Sequence, residues 1–219
     1  MSKEYEVSIR INFPEDINKT LRKEKERFVS KYGSGYNSEP HITLYLDRYT
    51  EEGFSRLKRD LKELHAEPFT ITLLQARANL EQDRHRNLYV VDISNKDALR
   101  QLRDKVQKIA IKYRSPLLRE KVRKQLEIQG VVTDGKRDSL PNSRKDAQIF
   151  DPHITLGEVN LDVQQPDLEE VRENIKNLNG ANITISNFDV SLYGKKNNDE
   201  KFNLIEKVVI PLQIINSPN

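Results

Sequence analysis

Two histidines and two threonines stand in identical surroundings in this chain. Pro-His-Ile-Thr-Leu runs from Pro40 to Leu44 and again from Pro152 to Leu156. The histidines are 153 less 41, or 112, residues apart, about half the 219-residue chain. Internal self-similarity at that scale points to duplication. If each run is an extended strand, side chains alternate, so His41 and Thr43 share a face with Tyr45 while Ile42, Leu44 and Leu46 point the other way. His153 and Thr155 repeat the arrangement. Residues two apart on a strand are separated by about 6.6 Å, which lets one phosphate accept a hydrogen bond from both the imidazole and the hydroxyl.

Two such pairs facing one another would place two imidazoles and two hydroxyls around a single phosphorus. One neutral imidazole takes a proton from the attacking oxygen, a protonated one gives a proton to the departing oxygen, and the hydroxyls hold the non-bridging oxygens. Histidine, with an ordinary pKa near 6.5, can fill either role near neutral pH. The chemistry so implied is metal-free cleavage of a phosphodiester.

The elements that must carry these residues can be read from periodicity. Val7, Ile9, Ile11 and Phe13 alternate with polar residues, as in a half-buried strand. Pro14 opens a helix whose apolar stripe, Ile17, Leu21, Phe28 and Tyr32, runs to Gly33. After the first motif, Thr50 suits the N-cap of a helix with Phe54, Leu57, Leu61 and Leu64 on one face, and a strand from Phe69 to Asn79 follows. The order then recurs. A strand spans Leu88 to Ile93, a helix runs from about Asn95 to Tyr113, the second motif follows, and a helix carrying Leu168, Val171, Ile175 and Leu178 stops at Gly180. Strands near Ile183 to Tyr193 and Phe202 to Leu212 complete the chain. This pattern predicts an α+β protein. It has two pseudo-symmetric lobes of antiparallel sheet with outer helices, residues 1–80 and 88–219, forming one bilobal domain with the active-site cleft between them.

Aligning the two units exposes an insertion. The first strand lies 36 residues before His41 when counted from Tyr5, but 65 before His153 when counted from Leu88. The excess falls at about residues 114–148. The segment from Lys112 to Gln148 carries ten Lys and Arg against five acids, so its +5 exceeds the chain's net +3. Its stretch GVVTDGKRDSLPNSRKDAQ is rich in turn formers, as expected of a mobile loop. A local basic segment on a near-neutral body suits an anionic partner. Lys136, Arg137, Arg144 and Lys145 are placed to meet phosphates beyond the one being cleaved.

Composition removes other classes. Only 36% of residues are hydrophobic and 32% are charged, and no apolar run approaches the roughly 20 residues that span a bilayer. The beginning MSKEYEV has no signal-peptide core, so a cytoplasmic location, without membrane, is expected. Cysteine is absent, which excludes disulfides, thiolate metal sites and a cysteine nucleophile. There is no Gly-rich phosphate loop and no G-x-S-x-G elbow. His65 and His85 lie in charged surroundings and are read as surface residues. Asp47 and Asp151 flank the motifs, but the spacing of paired carboxylates or His-x-x-x-His that a metal site uses is missing. No metal and no cofactor is expected. Arg10 lies on the polar face of the first strand, where it can reach the cleft or form a surface ion pair.

A pair of His-x-Thr motifs, one per lobe of a duplicated fold, resembles the signature of the 2H phosphoesterase superfamily, which includes RNA 2′,3′-cyclic phosphodiesterases and 2′-5′ RNA ligase-like proteins. The resemblance covers nearly the whole chain and rests on residues 40–44 and 152–156. It implies that His41 and His153 are the catalytic acid and base and that Thr43 and Thr155 hold the phosphate. Tyr45, on the histidine face, is a further candidate for stacking on a substrate base. The chain departs from some RNA-directed relatives at Gly157 and Glu158, where those carry a basic residue. The expected protein is a monomeric hydrolase, with a ligase side activity left open, acting on a nucleotide or RNA bearing a 2′,3′-cyclic or 2′-linked phosphate. Two rivals are a phosphodiesterase for small cyclic nucleotides or cyclic oligonucleotides, and a nucleotide-binding module without turnover.

Overall fold

The computed structural model describes residues 4–34, 38–117, 151–195 and 202–213. Most of the basic insertion, including Lys136, Arg137, Arg144 and Lys145, lies outside the described residues. The elements are β1 (Glu4–Asn12), α1 (Glu15–Tyr32), β2 (His41–Thr50), α2 (Glu51–Lys62), β3 (Phe69–Glu81), β4 (Arg86–Ile93) and α3 (Lys96–Tyr113). They continue with β5 (Ile154–Asn160), α4 (Leu168–Asn174), β6 (Asn182–Ile185), β7 (Asn187–Lys195) and β8 (Phe202–Pro211).

Local chemistry sets the helix ends. Pro14 precedes α1, its carbonyl accepts from the Asn18 amide, and Glu15 and Asp16 occupy the first turn, where acids suit the helix dipole. Gly33, at φ +65°, closes α1 in the left-handed conformation that glycine adopts without a Cβ penalty. Its amide and that of Ser34 return to the carbonyls of Val29 and Phe28. The Thr50 hydroxyl caps α2 by accepting from the Gly53 amide at 3.1 Å.

Among the described residues two four-stranded antiparallel sheets result, in the orders β2-β1-β7-β8 and β5-β4-β3-β6. The fold is therefore α+β with two antiparallel sheets and helices outside. The sheets do not follow the contiguous division at residues 80 and 88. β3, expected to end the first lobe, belongs to the second sheet, and β7 and β8 belong to the first. The reason is a tight connection. Only a single 3₁₀ turn, Gln82–Arg84, and His85 separate β3 from β4, so the two strands form a hairpin and pair with each other. The run expected as one strand from Ile183 to Tyr193 breaks at Ser186, where the chain passes from one sheet to the other.

The helices cross over in the same way. α3 packs on β2, and α1 packs on β5, so each motif strand is backed by a helix from the opposite half. One core cluster runs through both halves, from Val7, Ile9 and Phe28 to Val91, Ile154 and Leu156. Each such side chain contributes about 1.5–3 kcal/mol by leaving water. Among the described residues, no helix is long and apolar enough to cross a membrane.

Candidate active site

His41 opens β2, and His153 immediately precedes β5. The two strands approach each other, and the charge of His153 is felt at His41, so the fold brings both motifs to one place. Each motif has the same local structure. His41 Nδ1 lies 2.6 Å from the carbonyl of Glu39, and His153 Nδ1 lies 2.7 Å from the carbonyl of Asp151. A carbonyl oxygen only accepts, so in both rings Nδ1 carries the proton and Nε2 is the nitrogen left for chemistry. A buried proline, Pro40 or Pro152, stands between each histidine and its acceptor residue. Proline fixes φ between the acceptor carbonyl and the histidine, which favours the tight return of the ring.

The residues that supply these carbonyls are themselves anchored. Arg22 holds the Glu39 carboxylate through Nη2 at 3.0 Å and Nε at 3.2 Å. The Asp151 carboxylate takes Arg77 at 2.5 Å and Lys96 at 2.9 Å, and Lys96 also pairs with Asp92 at 2.7 Å. These cations hold the Asp151 carboxyl below its ordinary value although burial acts the other way. Neither Asp47 nor Asp151 is expected from the sequence to bind metal. Asp151 serves as the backbone anchor of His153, and Asp47 accepts from its own strand, from the Arg48 amide at 2.8 Å and the Tyr45 hydroxyl at 3.2 Å. Among the described residues no group of three or more His, Asp or Glu could hold a metal ion.

Thr43 and Thr155 are half-buried, and neither hydroxyl has a hydrogen-bond partner among the described residues. Tyr45 does not share their face. In the β1–β2 ladder Arg10 stands opposite Thr43 but Ile9 stands opposite Tyr45, so Leu44 is an extra, bulged residue that reverses the alternation. Tyr45 accordingly packs against the core with Ile9, and Leu46, opposite Ser8, takes the face that His41 and Thr43 occupy. The expectation that Tyr45 shares the face of His41 and Thr43 is thereby corrected. The same bulge recurs in the second motif at Leu156, because Val90 stands opposite Thr155 and Tyr89 opposite Gly157. His65 and His85 are both exposed, and His85 Nε2 pairs with Asp162 at 2.8 Å.

Gly157 occupies the position in the second motif that Tyr45 holds in the first, and its missing side chain makes room for α1. A Cβ there would come within 2.5 Å of the Phe28 ring. Beside this contact, Ser34 Oγ accepts from the Glu158 amide at 3.1 Å, and Lys25 Nζ donates to the Thr155 carbonyl at 3.1 Å. Glu158 itself is engaged by Arg86.

Lys25 is the site residue that the sequence motifs do not reveal. Its side chain is only 3% exposed, and burial pushes its ammonium down to about 8 against the pull of the nearby Glu39 carboxylate. A signal is present: Lys25 follows Leu21 by four residues on the apolar stripe of α1, where a charge is out of place. Its charge reaches His41. Burial lowers the His41 pKa from 6.5 to about 4, the bond to the Glu39 carbonyl opposes this, and the charges of Arg10, Lys25 and His153 add to the lowering. In the free protein His41 is therefore held as a neutral imidazole with Nε2 able to accept a proton.

These features are found in a chain that belongs to the 2′-5′ RNA ligase superfamily, whose family model matches residues 13–197. The fold is similar to that of E. coli LigT, with 13% identity over 96% of this chain and 99% of that one at a TM-score of 0.58. LigT in complex with 3′-AMP gives 14% identity, coverage of 95% and 99%, and a TM-score of 0.56. TT0787 of Thermus thermophilus gives 15% identity, coverage of 95% and 100%, and a TM-score of 0.54. No curated protein matches the chain in sequence.

Proposed function

We propose that this protein is a metal-independent phosphodiesterase that hydrolyses a 2′,3′-cyclic phosphate or a 2′-linked phosphodiester at RNA ends by two-histidine acid–base catalysis. The observation that carries this reading is the matched pair of Nδ1-to-carbonyl bonds, at 2.6 and 2.7 Å, which leave Nε2 of both rings for proton transfer. Neutral His41 takes the proton of the attacking water as that oxygen bonds to phosphorus. His153, protonated, gives its Nε2 proton to the ribose oxygen that departs. Thr43 and Thr155 donate to the non-bridging oxygens, whose charge rises in the transition state. With proton transfer and charge stabilisation both assigned to side chains, the scheme leaves no step to a cation.

That LigT has been crystallised with 3′-AMP and with phosphate supports a ribose-edge phosphate as the ligand class. The test is a side-by-side assay of 2′,3′-cyclic mononucleotides, an RNA ending in a cyclic phosphate and cyclic dinucleotides, each with EDTA. Turnover of the 2′,3′-cyclic compounds in chelator is expected. Turnover confined to cyclic dinucleotides favours the small-ligand reading, and activity that disappears in EDTA and returns with zinc or manganese overturns the mechanism.

A further inference from the structure

The two halves of the site match in their histidines, threonines, bulges and carbonyl anchors, but not in the residue beside each threonine. Opposite Thr155 on the neighbouring strand stands Val90, which is fully buried. Opposite Thr43, on β1, stands Arg10. Residues directly opposite in an antiparallel pair project from the same face with Cβ atoms about 5 Å apart. The Arg10 side chain therefore leaves the sheet on the face that carries Thr43 and His41, and its charge is felt at His41.

Among the described residues the guanidinium is held but forms no ion pair with an acid. Nη2 donates to the Tyr193 hydroxyl at 2.5 Å, which steadies the group without supplying a charge. Nε is buried and has no hydrogen-bond partner among the described residues. The acid nearest in register is Asp189, opposite Arg10 on β7, and it is committed elsewhere, to the Asn12 amide and to Lys207 at 2.6 Å. A buried N–H donor without an acceptor costs about 1–3 kcal/mol, and more on a charged group. Such a donor calls for an explanation, and beside a candidate catalytic site a bound anion that supplies the acceptor is one. The complementary partner is an anion of tetrahedral oxygens that also reaches the Thr43 hydroxyl.

We infer that Arg10 is a third phosphate ligand: its unpartnered Nε–H and its charge take a non-bridging phosphate oxygen beside Thr43, and Tyr193 holds the guanidinium in position. The inference rests on reading the cleft as a phosphodiester site and makes that site one-sided. The charged oxygens of the phosphate lie toward β1, whereas on the opposite half the position in register with Thr155 is the apolar Val90, and the nearby Lys25 ammonium is engaged by the Thr155 carbonyl. A charge-assisted bond of this kind strengthens as negative charge accumulates on the oxygens, so it favours the transition state over the ground state.

The experiment is calorimetric titration of the full-length protein with inorganic phosphate, with thermal melting of each variant as a check on folding. R10M is expected to bind phosphate at least about tenfold more weakly and to lose about a hundredfold in kcat/KM on a 2′,3′-cyclic mononucleotide, the scale of a lost oxyanion donor. R10K keeps the charge but lacks the planar fork and should recover only part of both. Y193F should weaken phosphate by a smaller factor without touching the ligand itself. Parental phosphate affinity in R10M overturns the inference. If R10M fails to fold, R10K and Y193F decide, and parental affinity in both overturns it equally. If the parent hydrolyses none of the substrates and yet binds phosphate through Arg10, the inference stands and the hydrolytic reading fails.

Discussion

Lys25, on α1, donates to the backbone carbonyl of Thr155, 130 residues further along the chain, at 3.1 Å. Through this bond a helix of the first half fixes the motif strand of the second, and the same ammonium lowers the proton affinity of His41 in the first motif. Lys25 is thus a positioning residue for one motif and an electrostatic neighbour of the other. Removing its charge makes protonation of His41 easier. The variant K25M should therefore move the acid limb of the kcat/KM profile to higher pH relative to the parent, since that profile reports the free enzyme. A limb that stays in place would show that Lys25 does not tune His41.

Stability should carry the same signature. In the unfolded chain a histidine binds its proton below about 6.5, whereas His41 in the folded protein stays neutral down to about 4. Between these values the unfolded state holds the additional proton, so lowering the pH across this window favours unfolding. In H41N that contribution is absent. The melting temperature of the parent should accordingly fall more steeply than that of H41N between pH 6.5 and 4, and parallel curves would contradict the lowered pKa.

Packing between the halves turns on Phe28 and Gly157. G157A sets a methyl within 2.5 Å of the Phe28 ring and should destabilise by about 1–3 kcal/mol, as overpacking does. F28A empties a fully buried site and should lose about 3–5 kcal/mol. Combined, the two should lose less than the sum, because the methyl then meets no ring. Denaturant unfolding of the four proteins measures the coupling, and strict additivity would mean that the two residues do not share one space.

Periodicity and capping chemistry make much of the fold legible. The α1 boundaries at Pro14 and Gly33, the Thr50 cap and the placing of both Pro-His-Ile-Thr-Leu runs at the head of strands follow from rules that act over three or four residues. What escapes is non-local or irregular. Pairing of β3 with β4 depends on a turn of a few residues that in sequence resembles a boundary between lobes. The bulges at Leu44 and Leu156 leave no mark in a pattern of alternation, so alternation puts Tyr45 on the face that Leu46 holds. Strict alternation also does not show that both rings turn Nδ1 back to a carbonyl two residues upstream, although the repeated acid and proline before each histidine carry that information. Lys25 is hidden because its significance comes from the strand it reaches, not from its own neighbours in sequence.

The central claim is that two imidazoles together transfer the protons of phosphodiester hydrolysis, and the most direct measurement is turnover of a 2′,3′-cyclic mononucleotide by the parent, H41A and H153A in EDTA. Each single variant should fold as the parent does and lose at least about a hundredfold in kcat, the usual worth of a positioned acid or base. Because the two rings act as one unit, the double variant should fall little further than either single one. Near-parental turnover by H41A or H153A would contradict the account.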